Sequence, residues 1–386
     1  MNQTGTLDHA WLLIDDQHIS AFGSMPSMPT DADAYIDAEE GLVIPSFADS
    51  HTHLVYTGSR DGEFLDKING LSYEQIAERG GGILNSADLL HNTTEDQLYE
   101  QSMTRVKELL RKGTGAIEIK SGYGLRTKDE LKMLRVIKRI RHSSPAIIKA
   151  TFLGAHAVAR GMTKEEYVRL IINEMLPKVA QEQLADFVDV FCDKGFFTVD
   201  DTDSILSAAR QYGIRPKIHA NELAVSGGVQ AGVRHQALSV DHLEQTTDIE
   251  IQALQATDTM PTMLPGSSFF LGLPYGRAKE FIKAGLGVAL ASDYNPGSSP
   301  SGDMRFVMAL GCIQMRLTPV QAFNAVTLNS AYAMGVSRQV GSITVGKIAN
   351  LIITQPMTSL TMIPYQYQTP FIRYHILAGQ MLPLEQ

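Results

Sequence analysis

Apolar and polar positions repeat in one order through the middle of the chain: a short apolar run, a polar loop, then a longer stretch with apolar residues three and four apart. The short runs read as buried strands and the wider spacing as helices. The first run, Ile44-Pro45-Ser46-Phe47-Ala48-Asp49-Ser50-His51-Thr52-His53-Leu54, ends in two histidines one residue apart. Further strands are expected at 116–120, 147–152, 187–191, 216–220, 238–242, 259–264 and 287–293. Among the helices between them, Leu98, Ser102, Val106 and Leu109 share a face of a stretch that stops at Gly113. Leu131, Leu134 and Ile137 do the same in the next, and further helices are expected at 203–212 and 276–284. Thr94-Glu95-Asp96-Gln97 and Thr127-Lys128-Asp129-Glu130 have the spacing of capping boxes, and Thr163-Lys164-Glu165-Glu166 opens another helix. Helices at about 303–316 and 318–333 follow the eighth strand, with Pro319 suited to a first helical position.

Eight strands alternating with helices imply parallel strands joined by crossovers, and a closed (β/α)8 barrel is the simplest such architecture. A doubly wound open sheet is disfavoured. No Gly-x-Gly-x-x-Gly turn follows an early strand, and Gly80-Gly81-Gly82 sits in a loop. The two ends differ in texture. Residues 10–14 and 18–23 read as a hairpin, and Ser24–Asp33 as a loop. Short strands are expected at 340–343, 346–347, 351–353, 371–374 and 375–377. Neither end can bury a core alone. Residues 1–48 and 340–386 are therefore expected to form one small β-sandwich domain, with the barrel at 49–339 inserted between them.

Composition narrows the function. A net charge of −9 argues against nucleic acid or an anionic membrane as partner. No apolar run approaches the ~18 residues of a membrane helix, and Met1–Gly5 lacks the start of a signal peptide. Two cysteines, Cys192 and Cys312, leave no disulfide framework and suit a reducing cytoplasm. A cytoplasmic chain acting on a small molecule is the expectation.

The active site of such a barrel lies at the C-terminal ends of its strands. His51, His53, His219, His242 and Asp293 all fall there. A lone histidine at a strand end is more often a core residue than a ligand; the convergence of several strand ends changes that weighting. Residues i and i+2 of a strand share a face, so His51 and His53 can present both imidazoles to one point. His51, His53, His219 and Asp293 are assigned to a zinc or iron ion. His242 is placed beside it, to orient water or polarise a carbonyl. Glu222, three residues past His219, is suited to shuttle a proton. Arg60, seven residues past His53, is suited to hold a carboxylate bidentately. Tyr73, Tyr123 and His156 follow predicted strands and either pack at the barrel mouth or face substrate. Asn295, Gly297 and Ser298 follow Asp293, in an ordinary Asn-Pro-Gly turn or a polar substrate-facing loop.

The His51-Thr52-His53 strand, the His219 and His242 strand ends, the Asp293 strand end and the flanking β segments resemble the amidohydrolase superfamily. Asp49–Arg60, Lys120–Leu125, Thr151–His156, His219–Glu222, Asp241–Glu244 and Ser292–Ser298 are similar to a branch that opens the ring of 4-imidazolone-5-propanoate to N-formimidoyl-L-glutamate, the third step of histidine degradation. The resemblance implies one Zn2+ or Fe2+/Fe3+ per subunit, a homodimer, and attack of metal-bound hydroxide on the ring carbonyl. It implies catalytic roles for Glu222, His242 and Asp293. It also implies substrate contacts from Arg60, Tyr73, Tyr123, His156, Glu222, His242, Asn295, Gly297 and Ser298. Asn221 and Asn350 stand where the pattern usually has Asp, and the N-terminal β segment is short. A related deaminase acting on another small heterocycle is the alternative, although a neutral base offers Arg60 no carboxylate. A non-catalytic barrel would be expected to lack a ligand, and none is missing.

Overall fold

The computed structural model describes residues 1–71, 75, 79 and 81–383. Tyr73 and Gly80 lie outside them. Two strands, β1 (Ala10–Asp15) and β2 (His18–Ser24), form an antiparallel hairpin. β3 (Gly41–Pro45) leads into β4 (Phe47–Thr52), the first strand of a parallel sheet. That sheet continues through β5 (Thr114–Lys120), β6 (Ile147–Ala155) and β7 (Phe187–Cys192). The next strand is in two pieces, β8 (Arg215–Pro216) and β9 (Ile218–Ala220), followed by β10 (Ser239–His242), β11 (Met260–Met263) and β12 (Ala289–Leu290). The ends of the sheet meet: Asp293 N donates to His51 O at 3.0 Å, and His53 N to Tyr294 O at 2.9 Å. The expected barrel is closed, and its closing hydrogen bonds flank the metal-ligand candidates.

The helices follow from local chemistry. Thr94 accepts from Gln97 N while the Gln97 side chain accepts from Thr94 N, so a capping box opens helix Glu95–Arg111, which buries Leu98, Ser102, Val106 and Leu109. Thr163 and Glu166 repeat the device. Thr127 does not. The N-cap there is Arg126, and Glu130 turns back to accept from Gly122 N, Gly124 N and Leu125 N. Helix Val199–Arg210 starts before residue 203 because Thr198 and Asp201 cap it. The expected 318–333 helix is α-helical at Pro319–Asn324 and Ser330–Ala333, with a π turn at Ala325–Asn329 between them.

At the C-terminus, β13 (Leu351–Pro356), β14 (Ile372–Leu377) and β15 (Gln380–Met381) join β3 in an antiparallel sheet. The expected strands at 371–374 and 375–377 are one strand, Ile372–Leu377, and 340–343 and 346–347 lie in turns and bends instead of strands, with φ 88° at Gly341 and 86° at Gly346. Ile19, Ala349, Leu351, Ile353 and Ile376 pack with Leu12, Ile14 and Val43, so both chain ends share one small core. Among the described residues no helix is long and apolar enough to cross a membrane.

Candidate metal centre

β4 delivers His51 and, one residue beyond its end, His53; β9 delivers His219; the turn after β12 delivers Asp293. Their donor atoms converge. His53 Nε2 lies 3.2 Å from His51 Nε2 and 3.4 Å from His219 Nε2. Asp293 Oδ1 is 3.6 Å from His51 Nε2 and 3.5 Å from His53 Nε2. Four ligands about 2 Å from a tetrahedral ion stand roughly 3.3 Å apart, so the spacing fits a metal ion. Protonation fits as well. Burial, with nearby positive groups, holds His51 and His53 well below the usual histidine range, hence neutral. His51 Nδ1 donates to Asp241 Oδ2 at 2.6 Å, which leaves the Nε2 lone pair to face the centre. His219 Nδ1 is 2.9 Å from Asp189 Oδ2, off the line of an N–H donor, while His219 N donates to Asp189 Oδ1 at 3.0 Å.

The backbone is specialised at the same strand ends. Asn221, His242 and Asp293 have φ of 59°, 86° and 53°. Non-glycine residues seldom adopt this region, and such conformations gather at functional sites. Here they fall where β9 and β10 end and in the turn after β12.

The amidohydrolase family model matches residues 42–380. This chain belongs to the amidohydrolase family. Within it, the chain is 52% identical over 385 residues to the imidazolonepropionase of Flavobacterium johnsoniae, covering 99% of this chain and 94% of that one. Against that of Thermoanaerobacter pseudethanolicus it is 39% identical, covering 92% and 85%. It is thereby a member of the imidazolonepropionase branch. Among solved structures, 5-methylcytosine deaminase from Klebsiella pneumoniae shares the fold with a TM-score of 0.75 at 17% identity, covering 97% of this chain and 95% of that one. An atrazine chlorohydrolase from Arthrobacter aurescens, complexed with zinc, gives 0.72 at 14% identity, covering 96% and 90%. The buried histidine triad and the family together make this a divalent-metal centre.

Around this amidohydrolase centre the remaining candidates fall into three groups. The first is acid–base. His242 Nε2 is 3.6 Å from Glu222 Oε2, and its Nδ1 is 3.4 Å from Glu244 Oε1. Burial opposes charge on His242, but Glu222, Glu244 and Asp293 hold its pKa well above the usual range. Burial raises the Glu222 carboxyl, and His242 partly offsets this. The second group is aromatic. The His156 ring stacks on His53 at 5.1 Å, with Tyr123 6.0 Å from His53. Burial brings His156 down to about 3; its Nδ1–H donates to Gly122 O at 3.1 Å, so Nε2 is an acceptor.

The third group holds the loop after Asp293. Asn295 Nδ2 donates to Asp293 O at 2.6 Å and to Ser298 Oγ at 2.7 Å, while its Oδ1 accepts from Gly297 N and Ser298 N at 2.8 Å. Asn295 thus ties the turn together. Ser298 Oγ donates to Asp293 Oδ2 at 3.2 Å. A Cβ at Gly297 would stand 2.1 Å from Arg60 Nη1, so glycine there lets the guanidinium lie against the loop.

Arg60 is already engaged, donating through Nη2 to Glu63 Oε2 at 2.5 Å. Glu63, Glu130, Asp193 and Glu244 are given no role at the site by the sequence reading. Asp193 sits just past β7 and accepts from Glu222 N, Leu223 N and Ala224 N at 2.8, 3.0 and 3.1 Å. Its place at a strand end was the available signal.

Proposed function

We propose that the chain hydrolyses the ring C–N bond of 4-imidazolone-5-propanoate, giving N-formimidoyl-L-glutamate in histidine degradation. The observation that carries this reading is the meeting of His51, His53, His219 and Asp293 around one point, with the Glu222–His242 pair at 3.6 Å beside it, in a chain 52% identical to an imidazolonepropionase. In this reading the four donors hold one Zn2+ or Fe2+/Fe3+. The ion supplies Lewis acidity, which acidifies water and polarises a carbonyl. Asp293, on the same face, orients the attacking water. Charged His242 donates a hydrogen bond to the carbonyl oxygen as it gains negative charge. Glu222 takes the proton the water loses and returns it to the departing ring nitrogen, so the ring opens without net proton change. His156 and Tyr123 line the ring's position, and Arg60 takes the propionate carboxylate, fixing the ring relative to Glu222. A cytoplasmic homodimer belongs to the same reading, as does the division into 1–48 with 340–386 and 49–339.

The test is direct. Chain loaded with Zn2+ or Fe2+ should convert 4-imidazolone-5-propanoate to N-formimidoyl-L-glutamate, followed by loss of the ring chromophore. Glu222→Gln should retain the metal while kcat falls by ~10²-fold or more. Absence of turnover by loaded wild type ends the proposal; near-normal kcat in Glu222→Gln removes Glu222 from the proton path.

A further inference from the structure

Beneath the four ligand candidates, the barrel interior carries charges that the reaction scheme does not use. Glu118 and Lys120 are two residues apart on β5, and Lys217 and His219 flank Ile218 on the next strand but two, so each pair shares a face. Glu118, Lys120, Thr151, Asp189, Lys217 and Asp241 are all fully buried. Lys120 Nζ donates to Glu118 Oε1 at 2.7 Å and Asp189 Oδ2 at 2.9 Å, and lies 3.5 Å from Asp241 Oδ2. Lys217 Nζ donates to Ser50 O at 3.0 Å and to Glu118 Oε2, and lies 3.8 Å from Asp241 Oδ2. Thr151 donates its hydroxyl to Glu118 Oε1 at 2.7 Å. Asp241 and Asp189 are the carboxylates beside Nδ1 of His51 and His219.

Barrel interiors of this class are mostly filled by branched apolar side chains. Burying ions carries a large desolvation cost, and apolar replacement of such a set is often neutral or stabilising. Stability alone therefore does not account for two lysines here. We infer that Lys120 and Lys217 are positioning residues for the metal centre. Bridged by Glu118, they fix the carboxylates of Asp241 and Asp189, and through them the aim of His51 and His219. The inference rests on the reading that these histidines hold a metal ion.

Charge and aim predict different outcomes. Lys120→Met makes the surroundings more negative, which by charge alone tightens binding of a divalent cation, whereas lost aim weakens it. Lys120→Met combined with Glu118→Gln leaves the net charge unchanged and removes an ion pair together, so it keeps the test open if the single variant fails to fold. Metal-free full-length chains are titrated with Zn2+, and separately Fe2+, against a competing chelator, with the melting temperature of each metal-free chain recorded. The expected result is metal binding 10- to 100-fold weaker in the folded variants, the usual scale for partners of metal-ligating histidines. Unchanged or tighter binding in a folded variant overturns the inference. Wild type that takes neither ion overturns the metal reading itself, which is a distinguishable result.

Discussion

Arg60 lies against Gly297 in the loop after Asp293 and is ion-paired with Glu63, the two side chains being only 12% and 11% exposed. A guanidinium has five N–H donors, so one arginine can serve Glu63 and a substrate carboxylate together. In that reading Glu63 aims Arg60, and Glu63 is itself held by accepting from Gly82 N at 3.0 Å. Truncating one partner of a desolvated charge pair removes roughly 2–5 kcal/mol. Arg60→Met should therefore lower kcat/KM for 4-imidazolone-5-propanoate by on the order of 30- to 4,000-fold, with metal content unchanged. A ring analogue without the carboxylate should be turned over poorly by wild type and hardly differently by the variant. Equal damage to both substrates would make Arg60 structural, and a wild-type preference for the uncharged ring would favour a deaminase-like activity. The ligand candidates were legible because each ends an apolar strand, where topology alone brings separate strands together. Glu63 was not, since nothing in its surroundings shows that the helix Asp61–Ile68 folds it back onto Arg60. The buried lysines did leave a signal. Glu118-x-Lys120 and Lys217-x-His219 put two polar side chains on one face of strands otherwise apolar, which is unusual for surfaces buried on both sides.

Between residue and whole molecule, the loop from Ser121 to Leu125 is the element on which Tyr123 and the His156 contact depend. It has little regular structure, and Glu130 supplies the acceptors its backbone lacks. Gly122 N, Gly124 N and Leu125 N donate to that carboxylate at 3.0, 2.7 and 2.9 Å. Each buried donor left without a partner costs roughly 1–3 kcal/mol. Glu130→Ala is therefore expected to lower unfolding free energy by about 3 kcal/mol or more, and to lower kcat/KM as Tyr123 loses its seat. Chemical denaturation checks the first and kinetics the second. A loss below ~1 kcal/mol would mean that the loop finds other partners. The same residue explains why this element was misread. Thr127-Lys128-Asp129-Glu130 has capping-box spacing, but the Glu is claimed by three loop N–H groups that only the folded barrel brings near. Thr94 and Thr163 face no such competition, and their boxes form as spaced. Asn221, one of the two departures from the usual pattern, belongs here too. Its Nδ2 donates to Gln245 O at 2.8 Å and its Oδ1 accepts from Ser226 N at 3.3 Å. Asn also tolerates the left-handed backbone required at this point.

Taken whole, the molecule joins a barrel to a small sheet through buried polar contacts as well as apolar packing. Asn350 donates through Nδ2 to Gly115 O at 3.2 Å and accepts from Ala378 N at 2.8 Å, a pairing of donor and acceptor that an ionised Asp would not make. The alternation of strands and helices exposed the barrel to a sequence reading. The partner of each terminal strand was harder to see, because pairing between residues 41–45 and 351–356 spans almost the whole chain. His375, on β14, sits at this junction. Its Nδ1 lies 2.8 Å from Leu110 O, and its Nε2 lies 2.9 Å from Ser46 Oγ. A carbonyl only accepts, so Nδ1 carries the proton and Nε2 accepts from the Ser46 hydroxyl. Burial lowers the His375 pKa to about 4, against the smaller opposing effect of Leu110. The native state therefore binds less proton here than the unfolded chain, whose histidine titrates near 6.5. The associated stability is fully present above about 6.5 and is lost as pH falls toward 4, amounting to about 3 kcal/mol. His375→Gln keeps a donor and an acceptor but does not titrate. Urea unfolding of both proteins between pH 7.5 and pH 4 isolates the difference, because the other acidic groups are common to both. Wild type should lose about 3 kcal/mol more than the variant over that interval, most of it below about pH 6.5. Parallel curves would mean that the junction admits a charged imidazole, and that the small sheet is held to the barrel by its apolar contacts and Asn350 instead.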